Sequence, residues 1–494
     1  MSLFSETLKK QIEASNMTVY QLAKLSCVDR TTIQKSLTGD RIPNQEAVLK
    51  LRKALRLSLE EETRFLEHYE KTKMGESLYE QRKNALQFFN TIADTYQIVD
   101  EIKALPLKRL EFEENSLLIK PIESYNGEIQ VQKLVQTIME EVIFQEEKKE
   151  LLVFLPFEFQ FFYDLLKQYY LDEQNTFEII NVFSISKEID GFGKNGDSVT
   201  ALETILPFLM TKRTGYYPYF YYDNHNPSQD MALIFPYYLI SEKGVAVIAA
   251  DFEKAILYRD ETVIAAYREA FGELKKRCRL LTNKCSEMIS YGGELAMISR
   301  RVAFFEPLPC LESFCSKDQI ENLVKADCQH RDTAVEILEQ FYRQYAQSSL
   351  KRRCYFSVKS LKNLVETGEL INFPAPIIRP LNRAEIKDYL GVILGELESD
   401  QREIYGIRES VLKQEGAFEI NQIDTSDILI RFYHQEKVLL NSVFIDERNI
   451  SRMIIDFFEF LPESKWIYTN KELKNIIENL MSSLQEPGYE ALFQ

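Results

Sequence analysis

Four histidines, at positions 68, 225, 330 and 434, are all the imidazole that this chain of 494 residues has for acid–base work. No P-loop, HExxH or GxSxG accompanies them, so phosphoryl transfer, zinc-dependent hydrolysis and serine chemistry all lack their usual residues. His68 falls near a helix end, where a solvated surface group is expected. The seven cysteines (27, 278, 285, 310, 315, 328 and 354) are odd in number and follow no signal peptide, which suits reduced thiols in a cytoplasmic protein. Cys310, Cys315, Cys328 and His330 could furnish four zinc ligands but lack the short CxxC knuckle, so no metal and no cofactor is expected. Cys278 and Cys285, seven apart, are expected on one buried helical face.

The densest aromatic stretch is Tyr216-Tyr217-Pro218-Tyr219-Phe220-Tyr221-Tyr222-Asp223-Asn224-His225. Rigid rings can bury a ligand while their hydroxyls orient it. Tyr216, Tyr217, Tyr219, Tyr221 and His225 are therefore candidate contacts for a small-molecule or peptide effector. The alternatives are an ordinary strand with Tyr on both faces, or an interface.

Charge is uneven along the chain. Residues 1–58 hold ten Lys/Arg against five Asp/Glu, a net of +5 in a chain of net charge -16. A basic end on an acidic remainder suits a nucleic-acid contact confined to that end. No apolar run approaches the ~18 residues that span a bilayer, and no membrane association is expected.

The elements that must position this basic end are punctuated clearly. Thr18 with Gln21 has the spacing of a capping box and opens a helix with Tyr20, Leu22, Ala23 and Leu25. A turn at Ser26-Cys27-Val28 follows, Asp29 caps a helix over 30–37, and Gly39 breaks it. A helix over 5–14 precedes the pair, Pro43-Asn44 opens a fourth, and Ser58 with Glu61 caps a fifth.

This pair resembles the helix-turn-helix of the Cro and phage-repressor (Xre) family of transcription regulators. The residues that carry the resemblance are Met17-Thr18-Val19-Tyr20-Gln21-Leu22-Ala23, then Val28-Asp29-Arg30-Thr31-Thr32-Ile33, then Gly39-Asp40-Arg41-Ile42-Pro43. It covers about 70 of the 494 residues. The resemblance implies that the second helix of the pair enters the major groove of double-stranded DNA. Arg30, Thr31, Gln34 and Lys35 then fall on the base-reading face: Arg suits guanine, Gln suits adenine, and the Thr methyl can meet the thymine methyl. Thr18, Thr38 and Arg41 fall where phosphates are held. Where Ser36 and Leu37 stand, the family often has an aliphatic and an acidic residue, and where Val19 stands it often has Gln.

Beyond the head, Leu78, Leu86, Phe89, Ile92, Tyr96, Ile98 and Ile102 run at helical spacing. Such a helix can pair with a symmetry mate or pack on its own chain; pairing is the expectation. After Pro106, short apolar runs at 151–155, 177–185, 216–222, 232–240 and 245–249 alternate with helical stretches, the last of them over 262–280, an α/β pattern. A strand, turn, strand and helix after residue 232 parallels another after 428, so a duplicated α/β module is read here. Pseudo-repeats of the phospholipase D type have this order, to which the region is faintly similar. That superfamily's H-x-K-x4-D signature is absent, because neither His225 nor His434 has Lys two residues on.

The fold class expected is an all-α helix-turn-helix head followed by a larger α/β (mixed) region. The divisions are a DNA-binding domain over 1–73, a linking helix over 74–108, an α/β sensor domain over 109–300, a helical segment over 301–350 and a second α/β module over 351–485. Residues 486–494, with Glu490-Ala491-Leu492-Phe493-Gln494, look like a remnant of cleavage by a viral 3C-type protease. The function expected is sequence-specific DNA binding by a homodimer that regulates transcription, with effector sensing or oligomerisation in the remainder and no enzymatic activity. The alternative is a protein-interaction scaffold, or an enzyme, that merely carries a helix-turn-helix.

Overall fold

In a computed structural model of the chain, the residues described are 2–103, 120–144, 149–172, 175–185, 197–211, 215–223, 234–285, 297–298, 300–309, 317–328, 331–346, 351–372, 377–398, 402–412, 418–433 and 440–484. Two compact units divide at residues 84 and 85. None of the described helices is long and apolar enough to cross a membrane.

The first unit is all helix: α1 (Leu3–Ala14), α2 (Val19–Ser26), α3 (Arg30–Thr38), α4 (Gln45–Leu55), α5 (Leu59–Met74) and the start of α6 (Glu76–Lys103). Each of the first five begins where a short polar side chain accepts from a first-turn amide: Ser2, Thr18, Asp29, Asn44 and Ser58. Reciprocal capping boxes close at Thr18–Gln21 and Ser58–Glu61. Gly39 ends α3 at φ +83°, a left-handed conformation in which a Cβ would be strained. The core gathers Phe4, Leu8, Ile12, Leu22, Ile33, Val48, Leu51 and Phe65, with the Phe4 ring 5.1 Å from Phe65 and 5.4 Å from Tyr69. One expectation fails here: His68 is not a free surface group, since its Nδ1 meets the Thr7 hydroxyl and ties α5 to α1. Of the α2 residues, Leu22 is buried while Tyr20 and Leu25 face solvent.

The second unit holds two sheets. The first is built from β1 (Ile122–Asn126), β2 (Glu150–Phe154), β3 (Glu178–Ile185), β4 (Tyr216–Tyr222), β5 (Tyr237–Ile240), β6 (Val245–Ile248), β7 (Lys254–Tyr258) and β8 (Arg279–Leu280), in the order β1-β7-β6-β5-β2-β3-β4-β8. Its helices are α7 (Glu128–Ile143), α8 (Gln160–Leu171), α9 (Asp197–Leu209) and α10 (Glu261–Lys275). The second has β9 (Thr282–Cys285), β10 (Arg301–Glu306), β11 (Arg352–Ser357), β12 (Arg402–Ile407), β13 (Phe418–Ile423), β14 (Asp427–Tyr433) and β15 (Leu440–Ile445), in the order β12-β11-β10-β13-β14-β15-β9. With it come α11 (Lys317–Leu323), α12 (Arg331–Ala346), α13 (Val358–Thr367), α14 (Arg383–Leu397), α15 (Arg448–Phe460) and α16 (Asn470–Ser483).

Seven strands of the first sheet match the second in order and sense. In each, three neighbouring strands run parallel (β2, β3, β4; β10, β11, β12), followed by an antiparallel series that ends on the repeat's first strand. The α/β module is therefore duplicated. The sequence parallel was one strand out of step, because β7 was not recognised: β5, β6 and β7 correspond to β13, β14 and β15. The stretch 301–350, expected to be helical, opens with β10, a central strand. Cys278 and Cys285 do not share a helix, since α10 ends at Lys275 and Cys285 lies in β9. Burial pushes the Cys278 thiol up to about 11.

Within this unit the stretch 85–93 of α6 packs on its own chain, the alternative to the pairing expected; the side chains of Tyr96, Ile98 and Ile102 lie outside those described. Ala85, Phe88, Phe89, Ile92 and Ala93 are buried at helical spacing. The Phe89 ring lies 5.1 Å from Phe457 of α15 and 5.7 Å from Phe305 of β10. Asn90 donates to the Val411 carbonyl and Thr91 to Glu203 of α9.

On the face of the second sheet away from α15, Arg301 and Glu306 of β10, Glu419 of β13 and Arg431 of β14 bury charge, β10 having a register shift between Arg301 and Ala303. Arg301, fully buried, lies 3.5 Å from Glu306 and 3.6 Å from Glu419, and donates to Asn421 Oδ1 at 3.1 Å. Arg431 donates to Glu419, and the Cys354 thiol to Glu306 at 3.2 Å. Burial alone would raise the Glu419 carboxyl; Arg431 and Arg301 outweigh it and hold the group below the usual carboxylate range.

Candidate nucleic-acid interface

Helix α3 sorts its nine residues by exposure. Ile33 and Ser36 are buried, while Arg30, Thr31, Gln34, Lys35 and Thr38 are exposed. That spacing makes one stripe along the helix, so the four base-reading candidates and one phosphate candidate share a surface. Ser36 lies against the core without an orphaned hydroxyl, because its Oγ donates to the Thr32 carbonyl at 2.8 Å.

Asp29 anchors the exposed end of this stripe. Its Oδ1 accepts from the Thr31 amide at 2.7 Å and from the Thr31 hydroxyl. The Thr31 hydroxyl and then the Thr31 amide hold the Asp29 carboxyl below the ordinary range, so it is charged at neutral pH. At the other end the Thr38 hydroxyl donates to Asp40 Oδ2 at 2.6 Å and lies 3.1 Å from the Lys35 carbonyl. Sequence reasoning assigned Asp40 no role; the Thr-x-Asp spacing was the available signal. Arg41 is exposed, its amide bonded to the Lys35 carbonyl at 3.2 Å.

Thr18 caps α2, its hydroxyl 3.2 Å from the Gln21 amide and 3.0 Å from Gln21 Oε1. With that hydroxyl engaged, what α2 presents to a phosphate is its first-turn amides at Val19 and Tyr20, which have no intrahelical acceptor.

The aromatic strand is split by its own alternation. Tyr216 faces the helices, with its ring 4.8 Å from Phe208 and its hydroxyl 3.0 Å from Asn181 Nδ2. Burial pushes this hydroxyl well up. Tyr217, Tyr219 and Tyr221 are half-buried on the opposite face, the latter two against the cluster that α10 covers, with Lys275 Nζ 4.8 Å from the Tyr219 ring. Tyr216 is therefore a core residue, apart from the other three. His225, Cys310, Cys315 and His330 lie outside the described residues, as does a GxGxxG string at 191–196 between β3 and α9.

Residues 8–61 match the helix-turn-helix family profile. The head is a helix-turn-helix domain of the Cro and phage-repressor type. No curated protein matches the chain. Among solved structures, the chain is similar to TrmBL2, an archaeal chromatin protein with a novel mode of DNA binding, at 10% identity and a TM-score of 0.21 over 56% of this chain and 99% of that one. It is also similar to a phosphatidylserine synthase of Haemophilus influenzae Rd KW20, at 9% identity and a TM-score of 0.26 over 79% of this chain and 96% of that one.

Proposed function

We propose that this protein is a sequence-specific transcription regulator that reads double-stranded DNA through α3 and works as a homodimer. The observation that carries this reading is the exposed stripe of Arg30, Thr31, Gln34 and Lys35 on a helix capped at both ends, in a head matching the helix-turn-helix profile. Base contacts and phosphate contacts fail differently. Arg30→Ala and Lys35→Ala should each cost about 1–3 kcal/mol on the preferred duplex and relax preference at one base pair, whereas Arg41→Ala should weaken all duplexes alike and flatten the salt dependence. Titrations of specific and random duplex at several salt concentrations check this; equal losses on both duplexes from all three variants would remove the recognition face. A scaffold that merely carries the motif would show no fall of log affinity with log salt.

One such helix reads a short half-site, so two are needed for useful specificity. Bound sites should be imperfect palindromes with half-sites about 34 Å apart or a multiple of that. Sedimentation of the chain, free and on such a duplex, should give a dimer; a monomer in both states rejects it. We assign the duplicated α/β region no catalysis and propose that it couples a small-molecule or peptide effector to the heads, with Tyr217, Tyr219 and Tyr221, which share one face of β4, as its contacts.

A further inference from the structure

We infer that Asp29 sets the preference of the recognition helix for thymine by fixing which end of Thr31 is offered to the DNA. The inference rests on the DNA-binding reading above. A threonine can read a base in two ways: its hydroxyl can bond a polar base edge, or its methyl can pack on the C5-methyl of thymine. The structure selects between them. The single hydroxyl proton of Thr31 is given to Asp29 Oδ1, the same oxygen that accepts from the Thr31 amide at 2.7 Å. The side chain is β-branched, so holding Oγ1 against the cap also fixes χ1 and leaves the methyl as the end not engaged by the cap.

The same pairing recurs at the far end of the stripe, where Asp40 takes the Thr38 hydroxyl. Both threonines of the stripe thus have their donors committed within the protein, and direct donors to bases are left to Arg30, Gln34 and Lys35. The two aspartates also place two negative charges beside the positive charges of Arg30, Lys35 and Arg41. That trims the attraction to phosphate, which is the part of binding that is blind to sequence. Asp29 is therefore a positioning residue that raises discrimination from both sides.

The test uses the full chain and a duplex recovered by repeated selection from a random pool. Each thymine is replaced singly by deoxyuridine, which keeps the pairing edge and lacks only the methyl. The unsubstituted protein should lose about fourfold in affinity at one position per half-site, the worth of one buried methyl. Thr31→Ser and Asp29→Ala should each erase that difference, while Asp29→Asn, which retains an acceptor and a good cap, should keep it. Binding of Asp29→Ala to random duplex should hold or rise, because an anion has left the stripe. An enriched duplex with no uracil-sensitive position, an Asp29→Ala protein that keeps the fourfold difference, or an equal fall of that variant on selected and random duplex overturns the inference. A pool that never enriches overturns the DNA-binding reading, and the inference with it.

Discussion

Replacing Glu419 by Ala should lower the unfolding free energy of the unit from residue 85 onward by about 3–5 kcal/mol, the usual cost of leaving a buried charge without its partner. Glu419 is the anion against which both Arg431 and Arg301 are set, in a site where Arg301 is wholly buried. Urea midpoints measure the loss. Glu419→Leu combined with Arg431→Met should cost less than Glu419→Ala alone, because the Glu419–Arg431 pair is then replaced by apolar groups and Arg301 still has Glu306 beside it. A Glu419→Ala cost under about 1 kcal/mol would mean that water reaches the cluster. The pH dependence follows from the direction of the shift. The Glu419 carboxyl is held below its unfolded value, so its contribution is present in full above about pH 4.3 and is lost as pH falls through the lower folded value. The stability of Glu419→Ala should accordingly vary less than that of the unsubstituted chain between pH 5 and strong acid.

The second large effect is expected at Phe89. Its ring fills a space among Phe305, Phe457 and Phe458, so Phe89→Ala should cost about 3–5 kcal/mol through lost burial and the cavity left behind. The loss should appear in the urea midpoint and be independent of protein concentration. A loss that grows on dilution would instead restore the pairing of α6 with a symmetry mate. The buried run from Ala85 to Ala93 also sets where the head can be cut. A fragment ending at residue 105 would expose Phe88, Phe89 and Ile92, whereas one ending at 84 would not.

What was legible in the sequence was what is local. The caps at Thr18, Asp29 and Ser58, the breaker Gly39 and the turn between α2 and α3 are each decided within four residues, and the structure has them where their spacing put them. The α6 helix was visible for the same reason, but not its partner, because Phe305 and Phe457 lie more than two hundred residues away. The buried charges were unreadable on similar grounds: nothing near Arg301 in sequence announces Glu419. Strand order fails likewise, since β10 sits between β11 and β13 through pairings that no window spans. Tyr216 is the instructive miss, because period-two alternation was enough to separate it from Tyr217 and Tyr219.

A chain that carries one strand order twice faces a hazard while it folds. Any strand of one repeat finds in the other a docking edge of the right sense, and cross-repeat pairing is a typical trap for duplicated chains. The charges on β10, β13 and β14 act against it. In the first repeat the corresponding strands β2, β5 and β6 carry Leu151, Val153, Leu239, Ala246 and Ile248 on that face, all buried, and a β13 or β14 misplaced there would bring Glu419 or Arg431 against these side chains without its counter-ion. The ion cluster thus works as an address label that keeps each sheet to its own strands, and chains lacking it should refold with a larger misassembled fraction even where the native state survives.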